Sequence, residues 1–218
     1  MRVRAKLVSL ASIGWIITFG GCFGSSTPAR FYVLTPLAEA DRSDPAAKVT
    51  TSLAVGVRRV ALPDYLDRPE IVTRIGPSQL ALAEFDRWAS PLVDAFPRIL
   101  RDNLGAMIPS DEVVVFPWPQ TAQVDYEVAV DVARFEGRLG GDCALVARWS
   151  IYGRERKAVL RTERASLSEP TNGGGYEAIA AAQSRLIAAL SREIATALKA
   201  IARAENLPGP ARLGGRAL

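Results

Sequence analysis

Between residues 124 and 135 the chain alternates so regularly that only one kind of element fits. Val124, Tyr126, Val128, Val130 and Val132 are interleaved with Asp125, Glu127 and Asp131. Side chains of a β-strand point to opposite faces with a period of two, so this strand has one face in a core and the other in water. Two more strands are predicted, near residues 143–152 and 158–167, joined by tight turns containing Gly140-Gly141 and Gly153. Three long strands with connections this short form an antiparallel meander. After Asn172-Gly173-Gly174-Gly175 a helix is predicted from about Tyr176 to Ala204. Ile179, Leu186, Ile187, Leu190, Ile194 and Ile201 make a single stripe on it, with Arg185, Arg192, Lys199 and Arg203 opposite. A half-wet sheet and a one-stripe helix bury their apolar surfaces against each other, which gives a layered α+β domain.

The upstream half supplies the rest of the sheet and a second helix. Strands are predicted at residues 31–34 and 53–60, separated by a polar loop over 36–48, and a hairpin pairs 71–74 with 80–83 around Gly76-Pro77-Ser78-Gln79. Ser90 is a good N-cap, with Pro91 at the first helical position, where its missing N–H costs nothing. Leu92, Phe96, Ile99, Leu100 and Met107 fall on one side of that helix, and Pro97, which cannot bond back to Val93, predicts a kink or a late start. Residues 113–116 form a continuous apolar run, read as a strand covered on both faces and stopped by Pro117-Trp118-Pro119. The expected fold class is α+β, an antiparallel-rich mixed sheet packed by two helices in a single domain, with no internal repeat.

The N-terminus reads as an address. Arg2, Arg4 and Lys6 precede an apolar stretch over residues 7–19, too short for the ~20 residues that span a bilayer. Phe19-Gly20-Gly21-Cys22 resembles the lipobox of bacterial lipoproteins, which makes Cys22 the lipid-attachment residue; the alternative is an ordinary secretory signal with a chance cysteine. The expected divisions are 1–21 lipoprotein signal peptide, 22–30 lipidated tether, 31–204 folded domain and 205–218 disordered tail. Three of the 27 Lys and Arg residues (Arg2, Arg4 and Lys6) lie in the leader, leaving 24 against 23 Asp and Glu, a net of +1. Bulk charge therefore does not point to nucleic acid. With Cys22 acylated, the second cysteine, Cys143, has no partner for a disulfide. It alternates with Leu145, Ala147, Trp149 and Ile151, the pattern of an inert core thiol.

Catalytic chemistry is hard to assemble here. The chain has no His, which removes Ser-His-Asp and Cys-His arrangements and nearly all catalytic zinc sites. None of Lys48, Lys157 and Lys199 follows a Ser at S-x-x-K spacing. Gly173-Gly174-Gly175 lacks the Lys and Ser/Thr of a P-loop and reads as a connector. The carboxylates Asp64, Asp67, Glu70, Glu84 and Asp86 are interleaved with Arg68, Arg74 and Arg87, a pattern that local ion pairs and turn caps explain. The basic face of the last helix is read as a solvated face, with anionic lipid headgroups the sharper alternative. Trp88 and Trp118 fall in predicted loops, either as tucked-in anchors or as exposed aromatics that bind a partner. No enzyme activity, metal or cofactor is expected.

Several segments, in order, resemble a known family. Phe31-Tyr32-Val33-Leu34, Leu62-Pro63-Asp64-Tyr65-Leu66-Asp67-Arg68-Pro69, Ile71-Val72-Thr73-Arg74, Glu84-Phe85-Asp86-Arg87-Trp88 and Val115-Phe116-Pro117-Trp118-Pro119 are similar to the PqiC/YmbA-type ABC-transport auxiliary lipoproteins. Arg134-Phe135-Glu136-Gly137 and Gly173-Gly174-Gly175-Tyr176 continue the likeness. The resemblance implies a non-enzymatic auxiliary component of an ABC/MCE-type intermembrane lipid-transport system. Its implied partners are an MCE-domain protein and the ABC transporter of the same system, and a homo-oligomer is left open. Phe23 stands where an Asp would signal inner-membrane retention, so the resemblance implies the periplasmic face of the outer membrane, through lipid at Cys22. Asp64, Tyr65, Phe85, Asp86, Arg87, Trp88 and Trp118 are the candidate partner-binding residues. A stand-alone periplasmic lipid-binding carrier and an outer-membrane assembly scaffold are the alternative readings.

Overall fold

The computed structural model describes residues 27–37, 53–108, 112–119, 121–154 and 158–206. The leader, Cys22, most of the tether, most of the loop over 36–48 and the tail after residue 206 lie outside the described residues. Ten elements follow in chain order: β1 (Arg30–Tyr32), β2 (Ala54–Val57), β3 (Glu70–Arg74), β4 (Leu80–Trp88), α1 (Leu92–Met107), β5 (Glu112–Val115), β6 (Tyr126–Gly137), β7 (Asp142–Tyr152), β8 (Val159–Pro170) and α2 (Tyr176–Asn206). The strands form one open, mixed, eight-stranded sheet, and both helices pack against it in a single α+β domain, as expected.

Strand β6 organises this sheet. Along one edge it pairs antiparallel with β7 from Glu127↔Tyr152 to Gly137↔Cys143, and β7 pairs in turn with β8. Along its other edge the chain from β2 to β3 runs parallel to it. Val55, Gly56 and Val57 pair with Tyr126, Glu127 and Val128; Ala61 bridges Asp131; and Thr73 pairs with Gly137. The residues between β2 and β3 leave the plane in a single turn of 3-10 helix, Asp64–Leu66, that buries Leu66. Strands β5 and β1 then add in parallel to β2 and β4.

Side-chain alternation decides which face is core. Val128, Val130 and Val132 pair with Ile151, Trp149 and Ala147, all 3% exposed or less, and Phe135 and Leu145 continue that face. A register shift between Val132 and Arg134 moves the core face from even to odd positions. Helix α2 lies over it with Ile179, Leu186, Leu190, Ile194 and Leu198 fully buried, each worth about 1.5–3 kcal/mol relative to exposure.

Burial of α2 goes beyond the single stripe read from its branched residues. Ala180, Ala182, Ala188, Ala195, Ala197 and Ala202 are buried as well, because α1 packs along it and small side chains let the two helices approach. Between them Asn103 Nδ2 donates to Ser191 Oγ at 3.3 Å, while its Oδ1 accepts from the Leu37 N–H at 2.8 Å. Ser184 Oγ accepts from the Thr35 N–H, so the chain after β1 is fastened to this polar seam.

Four local readings change. Helix α1 begins at Leu92 with Pro91 as the cap residue, and it continues through Pro97 instead of starting late, losing only the bond to Val93. Strand β4 extends to Trp88, so Trp88 is a strand residue, buried at 5% exposure, and not a loop anchor. Strand β5 is paired on one side only, with β2, and Val113, Val114 and Val115 are half-buried, so it is an edge strand and not one covered on both faces. Arg185 is half-buried beside β8, with Nε 3.1 Å from Glu169 Oε2 and Nη2 donating to the Pro170 carbonyl, whereas Arg192 and Arg203 are exposed.

Candidate functional site

The helices cover one face of the sheet, and the opposite face carries what can meet a partner. Gly56 sits on that face, and the indole of Trp118 closes over it. A Cβ at Gly56 would lie 3.0 Å from the ring and from Val124 Cγ1, so the glycine lets the aromatic settle closer than a larger residue would. Phe116 packs edge-on against Trp118, ring centroids 5.6 Å apart and planes at 89°, and is itself 50% exposed. Nearby Arg58 lies over the ring of Tyr152 at 5.2 Å and 3.3 Å from Glu127, a buried carboxylate.

At the other end of β6 the same face holds a charged knot. The Glu136 side chain is fully buried. Its Oε1 accepts from Arg74 Nε and Nη2, both at 2.8 Å, and from Arg134 Nε at 3.1 Å. Its Oε2 accepts from Tyr65 Oη at 2.8 Å and from the Phe135 N–H at 3.1 Å. Burial alone would raise the Glu136 pKa, but the hydrogen bonds from Tyr65, Arg74 and Arg134 outweigh it and hold the carboxyl below its ordinary range. Burial, followed by the bond to Glu136, pushes the Tyr65 hydroxyl up to about 12. The knot thus pins the 3-10 turn onto the sheet.

The sequence-derived candidates divide between surface and interior. Asp64 is exposed on the 3-10 turn, Tyr65 is half-buried beside it, and Trp118 is half-buried over Gly56. Phe85 and Arg87 are half-buried on β4; Arg87 Nη2 is 4.0 Å from Glu70 Oε1, and its buried Nε has no acceptor among the described residues. Asp86 and Trp88, only 3% and 5% exposed, are interior residues and offer little surface. Asp86 accepts from Arg30 Nη2 at 2.9 Å and from Tyr32 Oη at 2.7 Å, clasping β1 to β4 where the chain enters the fold. Burial would raise its pKa, and the bonds from Arg30 and Tyr32 lower it instead. Cys143 is buried, its Sγ 3.9 Å from the Ile179 carbonyl, and burial pushes its thiol up to about 12. Cys22 lies outside the described residues.

Sequence reasoning missed two things. Phe116 was counted as a strand core residue, although it precedes Pro117 and ends up exposed after the edge strand. The Arg74, Arg134 and Glu136 knot was not singled out as a site. Its signal was in the chain: the apolar phase changes from Val132 to Phe135, and that slip puts Arg134 and Glu136 on the uncovered face. Among the described residues no group of three or more metal-ligating side chains is placed to hold an ion, and no helix is long and apolar enough to cross a membrane.

A family model for the ABC-type transport auxiliary lipoprotein component matches residues 32–195, well over half of the chain. The chain belongs to this family. Its match runs from β1 into α2, so both the uncovered face and the helix seam are family structure. No curated protein matches the sequence. Two solved structures share the fold of this family member, each with a TM-score of 0.65. One is the crystal structure of an uncharacterized protein, 22% identical over 79% of this chain and 99% of that one. The other is a Xanthomonas campestris protein of the DUF330 family, 19% identical over 81% and 99%.

Proposed function

We propose that this family member is a non-enzymatic subunit of an ABC/MCE-type intermembrane lipid-transport system, held by lipid on Cys22 at the periplasmic face of the outer membrane. Its role is to dock an MCE-domain protein and so keep the transport path, driven by the ABC transporter of the same system, at that membrane. The observation that carries this reading is the match to the transport auxiliary lipoprotein family over residues 32–195. The absence of His from the chain supports a binding role over catalysis. Docking falls to the helix-free face, where Asp64, Tyr65 and Trp118 of the candidate set are joined by Phe116. Phe85 and Arg87 contribute from β4, and Asp86 and Trp88 hold that strand from beneath. An exposed Phe116 braced by the half-buried Trp118, in a loop stiffened by two prolines, suits such a surface, because little conformational freedom is lost when it is covered.

Two measurements test the proposal. Full-length protein grown with labelled palmitate should carry label in the outer-membrane fraction, and Cys22→Ala should abolish both label and fractionation. Deletion of the chain should shift the lipid balance between the two membranes. An unlabelled protein, or unchanged lipid balance, rejects the reading. Native mass spectrometry of gently extracted protein separates it from a stand-alone carrier, which would retain stoichiometric phospholipid.

A further inference from the structure

Beside the knot, between the end of β6 and the start of β7, the uncovered face opens into a cavity of about 330 Å³ lined by Arg74, Arg134, Glu136, Arg138 and Asp142. The β6–β7 turn forms its rim, and Gly140, at φ +69°, allows that turn to close. Three guanidinium groups face two carboxylates here, an excess of one positive charge. The donors are unevenly committed. Arg74 spends Nε and Nη2 on Glu136 and Nη1 on the Pro77 carbonyl. Arg134 commits Nε to Glu136, its side chain is 43% exposed, and no hydrogen bond occupies its Nη groups among the described residues. Arg138 is exposed and makes no side-chain hydrogen bond or ion pair among the described residues.

We propose that this cavity is a binding site for a phosphate ester, held by the outer ends of Arg134 and Arg138, with Arg74 and Glu136 fixing the position of Arg134. Guanidinium forks match phosphate oxygens bidentately, and the tetrahedral oxygens of a phosphate ester accept from two forks that approach in different directions. The size sets the rest of the ligand. At the low end of the ~300–1,000 Å³ of ligand pockets, the cavity takes a glycerophosphate-sized group and leaves any acyl chains outside. Glu136 and Asp142 offset two of the three positive charges, so an anion gains most by engaging the free donors of Arg134 and Arg138 directly.

The test uses full-length protein in non-ionic detergent, titrated by calorimetry with glycerol phosphate, dihexanoyl phosphatidylglycerol and succinate. Binding of glycerol phosphate and of the short-chain lipid with similar affinity identifies the phosphate ester itself as ligand. Binding of the lipid alone identifies a membrane headgroup. In either case Arg134→Gln with Arg138→Gln should weaken binding at least ten-fold, and Arg148→Gln, on β7 outside the cavity lining, should leave it unchanged. The proposal is overturned if neither phosphate ester binds, if succinate binds as tightly, or if the double variant binds like the parent. This outcome is independent of whether an MCE-domain partner associates with the protein.

Discussion

Replacing Glu136 by Gln keeps the shape of the side chain and removes its charge, so it isolates what the buried carboxylate does for the uncovered face. Five hydrogen-bond donors converge on Glu136, three of them from arginines. Losing one partner of a buried ion pair costs about 3–5 kcal/mol, because the charge left behind stays desolvated. Here Arg74 remains 19% and Arg134 43% exposed, so water recovers part of that cost. A loss of about 3 kcal/mol is expected at pH 7, read as a lower midpoint in urea with unchanged slope. The pH dependence has a defined sign. The folded-state pKa is lowered, so the stabilisation is complete above the unfolded value of about 4.3 and is lost as pH falls through the folded value. The gap between parent and Glu136→Gln should therefore be full at pH 7 and narrow below about pH 4. A loss under about 1 kcal/mol at pH 7, or a gap that is constant down to pH 3.5, refutes the role assigned to the knot.

Other substitutions probe the core and the seam. A Cβ at Gly137 would fall 2.2 Å from Cys143 Sγ, so Gly137→Ala should cost about 1–3 kcal/mol and be rescued in part by Cys143→Ala, as a double-mutant cycle in urea would read out. With its thiol buried and raised to about 12, Cys143 should react with iodoacetamide at pH 8 only as fast as the protein unfolds; fast labelling of native protein contradicts its placement. Asn103→Ala leaves the Leu37 N–H without an acceptor between the helices and should cost about 1–3 kcal/mol in thermal or urea unfolding.

The elements with strong periodicity were legible in the sequence. Strands β6 and β7 came from alternation and α2 from its helical stripe, runs long enough that period two and period 3.6 cannot be confused, while β8 followed from the tight turn at Gly153. What escaped depended on contacts distant in sequence. The alanines of α2 say nothing about a second helix until α1 is placed beside it. Trp88 reads as a loop residue because the predicted strand ends at Ala83, yet Arg30 and Tyr32, more than 50 positions away, pair with and hydrogen-bond Asp86 and let β4 run on. Residues 113–116 read as doubly covered because apolarity alone cannot distinguish a central strand from an edge strand beside a helix. Of the candidate site, the Pro-Trp-Pro loop was visible as composition, and the segment around Tyr65 came from the family resemblance. The charge knot was visible only as a slip in phase.

Docking of an MCE-domain partner on the helix-free face, as proposed, can be read directly by crosslinking. A photo-crosslinking residue placed at Phe116, exposed on that face, is compared in cells with one at Ala200, exposed on α2. The expected result is an adduct with the MCE-domain protein from position 116 and none from position 200. No adduct from either position, or equal adducts from both, would contradict it.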